Sequence, residues 1–184
     1  NLEKVRKTLN FQLSKFTNIK NLGNKVNLSN LNNERDLNET DEKNVFHTSE
    51  TLNISGSYTG EQAILILAEG DITITEDIQA SKAPIAIVSL NGNILIDKSV
   101  DSIQASLITV TDGTKLEIKQ GTKNEALEIQ GTIISNINTL YDQIEFVGDI
   151  SQNQGRLTII YDGRVQFMPP PGLSDPLIFN MQSQ

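Results

Sequence analysis

From Leu52 onward, Ile, Val and Thr alternate with polar residues in short runs separated by Gly, Asn and Asp, the pattern of many short strands. Two stretches, "AEGDITITEDIQAS" (68–81) and "LNGNILIDKSVDSIQAS" (90–106), follow one another with the same outline. Each has a Gly, two isoleucines bracketing one residue, a polar turn, an apolar residue and Gln-Ala-Ser. Gly70 and Gly92, Ile72 and Ile94, Ile74 and Ile96, and Ile78 and Val100 are all 22 residues apart. Upstream, Ile64 maps onto Ala86 and Ile66 onto Val88. A third copy follows at the same step, with Ile108 and Val110 extending the upstream columns and Leu116 and Ile118 the downstream ones. Thr73, Leu95 and Glu117 occupy the outward positions between the downstream pairs. Alternation within a copy and a fixed period between copies are independent signals, and they agree.

A fixed period of this size marks a repeat architecture, in which each unit stacks on its neighbour because it cannot bury its apolar face alone. Units of two or three short strands without helices predict a parallel β-solenoid whose aliphatic columns become internal ladders. A left-handed hexapeptide solenoid requires a period divisible by six, which 22 is not, so a right-handed parallel β-helix is expected. A β-sandwich is the competing reading. It requires a hairpin turn every 8–12 residues, and Asn91-Gly92 supplies one such signal.

The chain divides into three parts. In residues 1–16, Leu2, Val5, Leu9, Leu13 and Phe16 recur at helical steps and predict an amphipathic helix. The Asn-rich and charged residues up to 50 read as an arm or linker. Residues 51–140 form the expected solenoid: the register lapses after Ile118 into "KQGTKNEA", and "LEIQGTIISNI" supplies one more coil or a terminal strand pair through Leu127, Ile129, Ile133 and Ile137. Residues 141–184 are expected to cap the end. There Asp162-Gly163 lies between apolar runs as a hairpin signal, and "MPPPG" stops any ladder because proline has no N–H to donate. The N-terminal helix is the candidate cap for the other end.

These stretches, from "AILILAEGDITITEDI" through "IIYDGRVQFMPPPG", resemble the β-solenoid modules of bacterial cell-surface and pilus-associated proteins. The resemblance covers the 122 residues from Ala63 to the C-terminus. It implies a non-enzymatic extracellular or cell-surface component used for assembly or adhesion, with no catalytic residues to carry over. A mature pilin opens with a long apolar helix, whereas residues 1–16 here are amphipathic and basic.

Composition narrows the remaining functions. The formal charge is −8, yet residues 1–25 hold six lysines and arginines against one glutamate, a balance of +5 that leaves −13 for the rest. The overall charge opposes wholesale nucleic-acid binding, which needs a basic footprint. The basic stretch suits either an end cap or contact with an anionic membrane surface. There is no cysteine, which excludes disulfides and cysteine-based zinc sites, and no run of eighteen apolar residues to span a membrane.

His47 is the sole histidine and has no partners for a Ser-His-Asp or His-based metal site. Asp71, Glu76, Asp77, Asp97, Asp101 and Asp112 could meet on adjacent coils, as the carboxylates of polysaccharide-cleaving β-helices do, or hold calcium. Yet Asp71 aligns with Asn93 and Lys115, and Asp77 with Ser99 and Gly121, so no acidic column persists. They read as solvated turn residues. No catalytic, cofactor-binding or metal-ligating residue is therefore assigned. Sequons at Asn27, Asn38 and Asn53 matter only where the source glycosylates.

The expectation is a rigid spacer and assembly or adhesion module of a bacterial surface, pilus or extracellular filament. It would contact protein partners, further copies of itself through its faces and ends, or surface polysaccharide. A carbohydrate-active β-helix enzyme or carbohydrate-binding module is the first alternative, and it would need clustered carboxylates with aromatic subsites. A trimeric spike or phage tail-fibre component is the second.

Overall fold

The computed structural model describes residues 19–31, 44–144 and 157–173. They form an all-β solenoid of about five turns, with about 22 residues per turn. Every strand pairing among the described residues is parallel, as stacked coils require and hairpins do not. The sandwich reading fails on that point.

Each coil contributes one strand to a six-stranded sheet and one or two to an eight-stranded sheet. The first sheet runs β1 (Lys20–Asn21), β3 (Val45–Thr48), β5 (Ile64–Ala68), β7 (Ile85–Ser89), β10 (Ser106–Thr109) and β13 (Ile133–Ile134) in spatial order. In the second, β2 (Lys25–Asn27) pairs with β4 (Leu52–Tyr58), and β4 with β6 (Ile72–Ala80). The nine-residue β6 then feeds two tracks. One continues to β8 (Ile94–Ile96) and β11 (Leu116–Ile118). The other continues to β9 (Ser102–Ile103), β12 (Leu127–Gln130) and β14 (Leu157–Ile160). A short helix, α1 (Asn138–Gln143), packs near β11.

The downstream ladders match the sequence reading. Ile72, Ile94 and Leu116 are in register, as are Ile74, Ile96 and Ile118, all at most 1% exposed. Thr73, Leu95 and Glu117 pair outward between them. Such columns form because Ile and Leu on successive pleats interdigitate at roughly 4.8 Å, burying a face that no single coil could cover.

Three expected placements are corrected. In the six-stranded sheet Ile64 pairs with Ile85 and Ile66 with Ile87, so Ala86 and Val88 lie one residue off the expected columns, beside Leu65 and Leu67. Ile108 continues from Val88, and Val110 lies beyond β10. Ile78 pairs with Ile103 and not with Val100, because the chain from Asp97 to Asp101 makes an extra turn before β9. Asp162-Gly163 makes no hairpin. β14 joins β12 in parallel, and a 3-10 helix, Gly163–Gln166, follows it.

Strands β1, β2 and β3 lie within the stretch read as an arm, and they stack on the coils that follow. The expected helix over residues 1–16 lies outside the described residues. No helix among the described residues is long and apolar enough to cross a membrane.

The core has two compartments. The larger lies inside the coils and contains the isoleucine ladders with Leu52, Phe46, Tyr58 and Leu140. The smaller lies on the outer face of the six-stranded sheet, where Val45, Leu65, Leu67, Val88, Ile108 and Val110 are buried with Leu173 of the C-terminal segment. Strands β5, β7 and β10 are therefore buried on both faces.

Candidate functional site

The polar side chains of the coils are organised in columns, as the apolar ones are. Asp71, Asn93 and Lys115 stand at the same step before the isoleucine strands. The backbone N–H of Asn93 donates to Asp71 Oδ1 at 2.7 Å, and that of Lys115 donates to Asn93 Oδ1 at 3.0 Å. Their own carbonyls accept from Leu52, Ile72 and Ile94 of the preceding coils. A short Asx side chain suits this position, because it reaches a main-chain donor one coil away while leaving the turn open. Gly92 completes the corner. A Cβ there would lie 2.4 Å from the Asp71 nitrogen, and the Ser89 hydroxyl bonds both its N–H and its carbonyl.

A second column joins His47, Glu69 and Asn91. His47 Nε2 lies 3.3 Å from Glu69 Oε1, and Asn91 Nδ2 donates to Glu69 Oε2 at 2.9 Å. In a third, Asp77 Oδ1 accepts from the N–H groups of Asp101 and Ser102 at 2.7 and 3.1 Å. Close by, Gln104 Oε1 accepts from the Ala80 N–H at 2.9 Å, linking the two Gln-Ala-Ser segments that recur in the sequence.

The six acidic turn residues are thus placed individually. Asp71 and Asp77 hold the next coil, and Asp97 closes a local turn on Ser99. Glu76 and Asp112 are exposed. Asp101 pairs with Lys123. No group of three or more His, Cys, Asp or Glu among the described residues comes together to hold a metal ion.

Lys123 is the residue that sequence reasoning missed. It sits in the stretch "KQGTKNEA", which reads as a polar loop, yet it is 1% exposed. Its ammonium donates to the Lys98 carbonyl at 2.9 Å and to Asp101 Oδ1, with Glu125 Oε2 at 3.4 Å. Both carboxylates are exposed, so water screens them and the carbonyl bond fixes the geometry. A buried lysine stem covers apolar surface while its head stays partnered, and no spacing in the sequence marks it.

Among the described residues, Tyr58 and Asp162 are held away from their ordinary ionisation. Burial pushes the Tyr58 phenol up to about 12, and its hydroxyl donates to the Gln62 carbonyl at 2.7 Å. At Asp162, burial opposes ionisation, but hydrogen bonds from Arg164 and its charge outweigh that and hold the carboxyl below its ordinary value. Arg164 also donates to the Ala80 carbonyl, clamping the C-terminal segment to β6.

Comparison with protein-family models, with curated proteins and with solved structures finds no match to this chain. What the polar groups do chemically must be read from their own geometry. Asp71, Asn93, Glu69, Asp77 and Gln104 all spend their oxygens on the adjacent coil. That arrangement fixes the spacing and register of the coils.

Proposed function

We propose that this chain is a non-enzymatic structural component of a bacterial cell surface, pilus or extracellular filament. Its solenoid serves as a rigid spacer and as an assembly or adhesion module for protein partners or surface polysaccharide. The coil is right-handed, the hand that parallel crossover connections overwhelmingly take. One observation carries the reading: the carboxylates and amides at the turns are engaged with main-chain N–H groups of neighbouring coils, so the polar residues stiffen the stack alongside the aliphatic ladders. Stiffness along an axis is the property a spacer needs. The test is immunolabelling and electron microscopy of the source cells. Labelled surface fibres or a surface coat are expected; confinement to the cytoplasm, or cleavage of an acidic polysaccharide by the purified chain, would overturn the proposal.

A further inference from the structure

The last coil closes one track of the eight-stranded sheet and leaves the other open. On β11, Gln143 of α1 stands in for a further strand: its Oε1 accepts from the Ile118 N–H at 2.8 Å, and its Nε2 donates to the Ile118 carbonyl at 3.2 Å. On the other track Ile78, Ile103 and Ile129 stack in register at 0% exposure, and the next rung, Ile159, is 46% exposed. Ile160 and Tyr161 beside it are 41% and 45% exposed.

The main chain is open there too. Among the described residues β14 pairs with β12 alone. In a parallel strand, one residue points its N–H and C=O to the same side and the next residue points both to the other. The Ile160 carbonyl accepts from the Gly131 N–H on the β12 side at 2.8 Å, so the amides and carbonyls of Leu157 and Ile159 face the free edge. An apolar rung beside unpaired main-chain groups is a template for one more strand.

The first coil offers no matching strand, because the 3-10 helix Leu28–Leu31 follows β2 where this track would begin. The β14 edge, however, is complementary to itself. In an antiparallel pair, facing residues exchange two hydrogen bonds at every second position. A twofold axis at Thr158 sets Leu157 of each copy opposite Ile159 of the other, so all four edge amides meet an edge carbonyl. Leu157 and Ile159 stack on the inward-facing Leu127 and Ile129, and the interior ladder continues across the axis. On the outward face the two exposed Thr158 side chains meet, a favourable cross-strand pair. Glu128, the exposed charge paired with Thr158, lies three strand spacings from its counterpart, about 14 Å and beyond the Debye length of about 8 Å at physiological salt. Within β6, Ile72–Ile74 lead to β11 and Ile78 to β12, so α1 lies on the N-terminal side of β14, and the axis places the two helices on opposite sides.

We infer that two copies of this chain join tail to tail, β14 pairing antiparallel with β14 across a twofold axis at Thr158. Such a contact uses the same patch on both copies and closes on itself, so it makes a dimer and no longer series. Ile159, Ile160 and Tyr161 offer on the order of 300 Å² per copy, under the roughly 800 Å² per partner of a standard interface, so the dimer is a reversible one. The inference goes beyond the surface role and fails separately from it. A monomeric chain that still labels the cell surface removes the dimer alone, whereas a dimer of a cytoplasmic protein removes the surface role alone.

The test combines sedimentation velocity of the purified chain over a concentration series with cross-linking through introduced cysteines, of which the chain has none of its own. Monomer and dimer are expected, and nothing larger. At the axis the two Thr158 residues form a non-hydrogen-bonded pair with Cα atoms about 4.5 Å apart, within the range a disulfide spans. Oxidised Thr158→Cys should therefore give a disulfide-linked dimer in high yield, and Glu128→Cys should stay unlinked. Ile159→Pro removes the N–H that faces the edge and none that faces β12. It should raise the dimer dissociation constant about tenfold or more, with far-UV circular dichroism unchanged. Should that variant fail to fold, Ile159→Lys, which puts a charge on the open rung, supplies the same readout. A monomer at every concentration, which leaves the edge to another protein's strand, would overturn the inference. So would an open series of larger species, a Thr158→Cys chain that links no better than Glu128→Cys, or a folded Ile159 variant that dimerises like the wild type.

Discussion

Ile96 is the middle rung of a ladder, with Ile74 on one side and Ile118 on the other, and none of the three is more than 1% exposed. Ile96→Ala removes three side-chain carbons, about 2.4 kcal/mol at about 0.8 kcal/mol each. Its neighbours are themselves held in register by main-chain pairing, so they cannot collapse into the gap, and the residual cavity adds about 1–2 kcal/mol. The expected loss is about 3–4 kcal/mol. Ile159→Ala is the matched control, because the same atoms leave a rung that is 46% exposed and encloses no cavity. About 1 kcal/mol is expected there. Urea unfolding followed by far-UV circular dichroism measures both. Native-state hydrogen exchange checks that the central coils open as one unit, since a stacked array can lose cooperativity along its length. An Ile96→Ala cost below about 1 kcal/mol, or one no larger than that of Ile159→Ala, would refute the ladder as the source of stability.

Three other perturbations follow from local geometry. Gly131→Ala should destabilise the fold markedly, because its Cβ would lie 2.2 Å from the Ala105 carbonyl oxygen; Gly163→Ala, with nothing within 4 Å, should shift the melting temperature little. Lys123→Met keeps the apolar stem but strips the Lys98 carbonyl of its donor, so a loss of about 1–3 kcal/mol in urea unfolding is expected. The Asp162 carboxyl is held below its ordinary value, so its contribution is present above the unfolded-state pKa and is lost as the pH falls through the folded-state one. The difference in melting temperature between Asp162→Asn and the wild type should accordingly be largest near neutrality and vanish in acid.

How far the sequence was legible depends on what each strand face meets. In the eight-stranded sheet one face is apolar and the other mixed, so Ile72, Ile74, Ile94 and Ile96 fix the register by alternation alone. In the six-stranded sheet both faces are buried, and "AILILA" and "PIAIVS" present apolar side chains at odd and even positions alike. Alternation then gives no register, and the assignment of Ala86 and Val88 slips by one residue. The Gln-Ala-Ser repeat held the corrective information: Gln79 and Gln104 are 25 residues apart, as are the paired Ile78 and Ile103, so the coil is longer there than 22.

The C-terminal misreading has a different cause. Asp-Gly between apolar runs favours a hairpin locally, but β12 offers β14 a parallel partner, and Arg164 binds Asp162 while reaching Ala80, 84 residues away. Tertiary contacts of that range leave no local trace. The inter-coil role of Asp71 and Asn93 was half visible, since their alignment at 22 residues was plain. What the alignment hid is that a mixed Asp–Asn–Lys column can still be a single hydrogen-bonded ladder.

The parallel stack underlies the proposed spacer role, and the absence of cysteine from the chain makes that stack directly testable. Thr73 and Leu95 are partners in adjacent parallel strands. Neighbouring strands about 4.8 Å apart place paired residues within disulfide reach. A Thr73→Cys/Leu95→Cys variant, oxidised as a monomer and mapped by mass spectrometry, should form an intramolecular cross-link in high yield. A Thr73→Cys/Glu117→Cys variant, two coils apart, should not. Failure of the first pair to link in folded protein, or equal linking of the second, would contradict the coil-by-coil register.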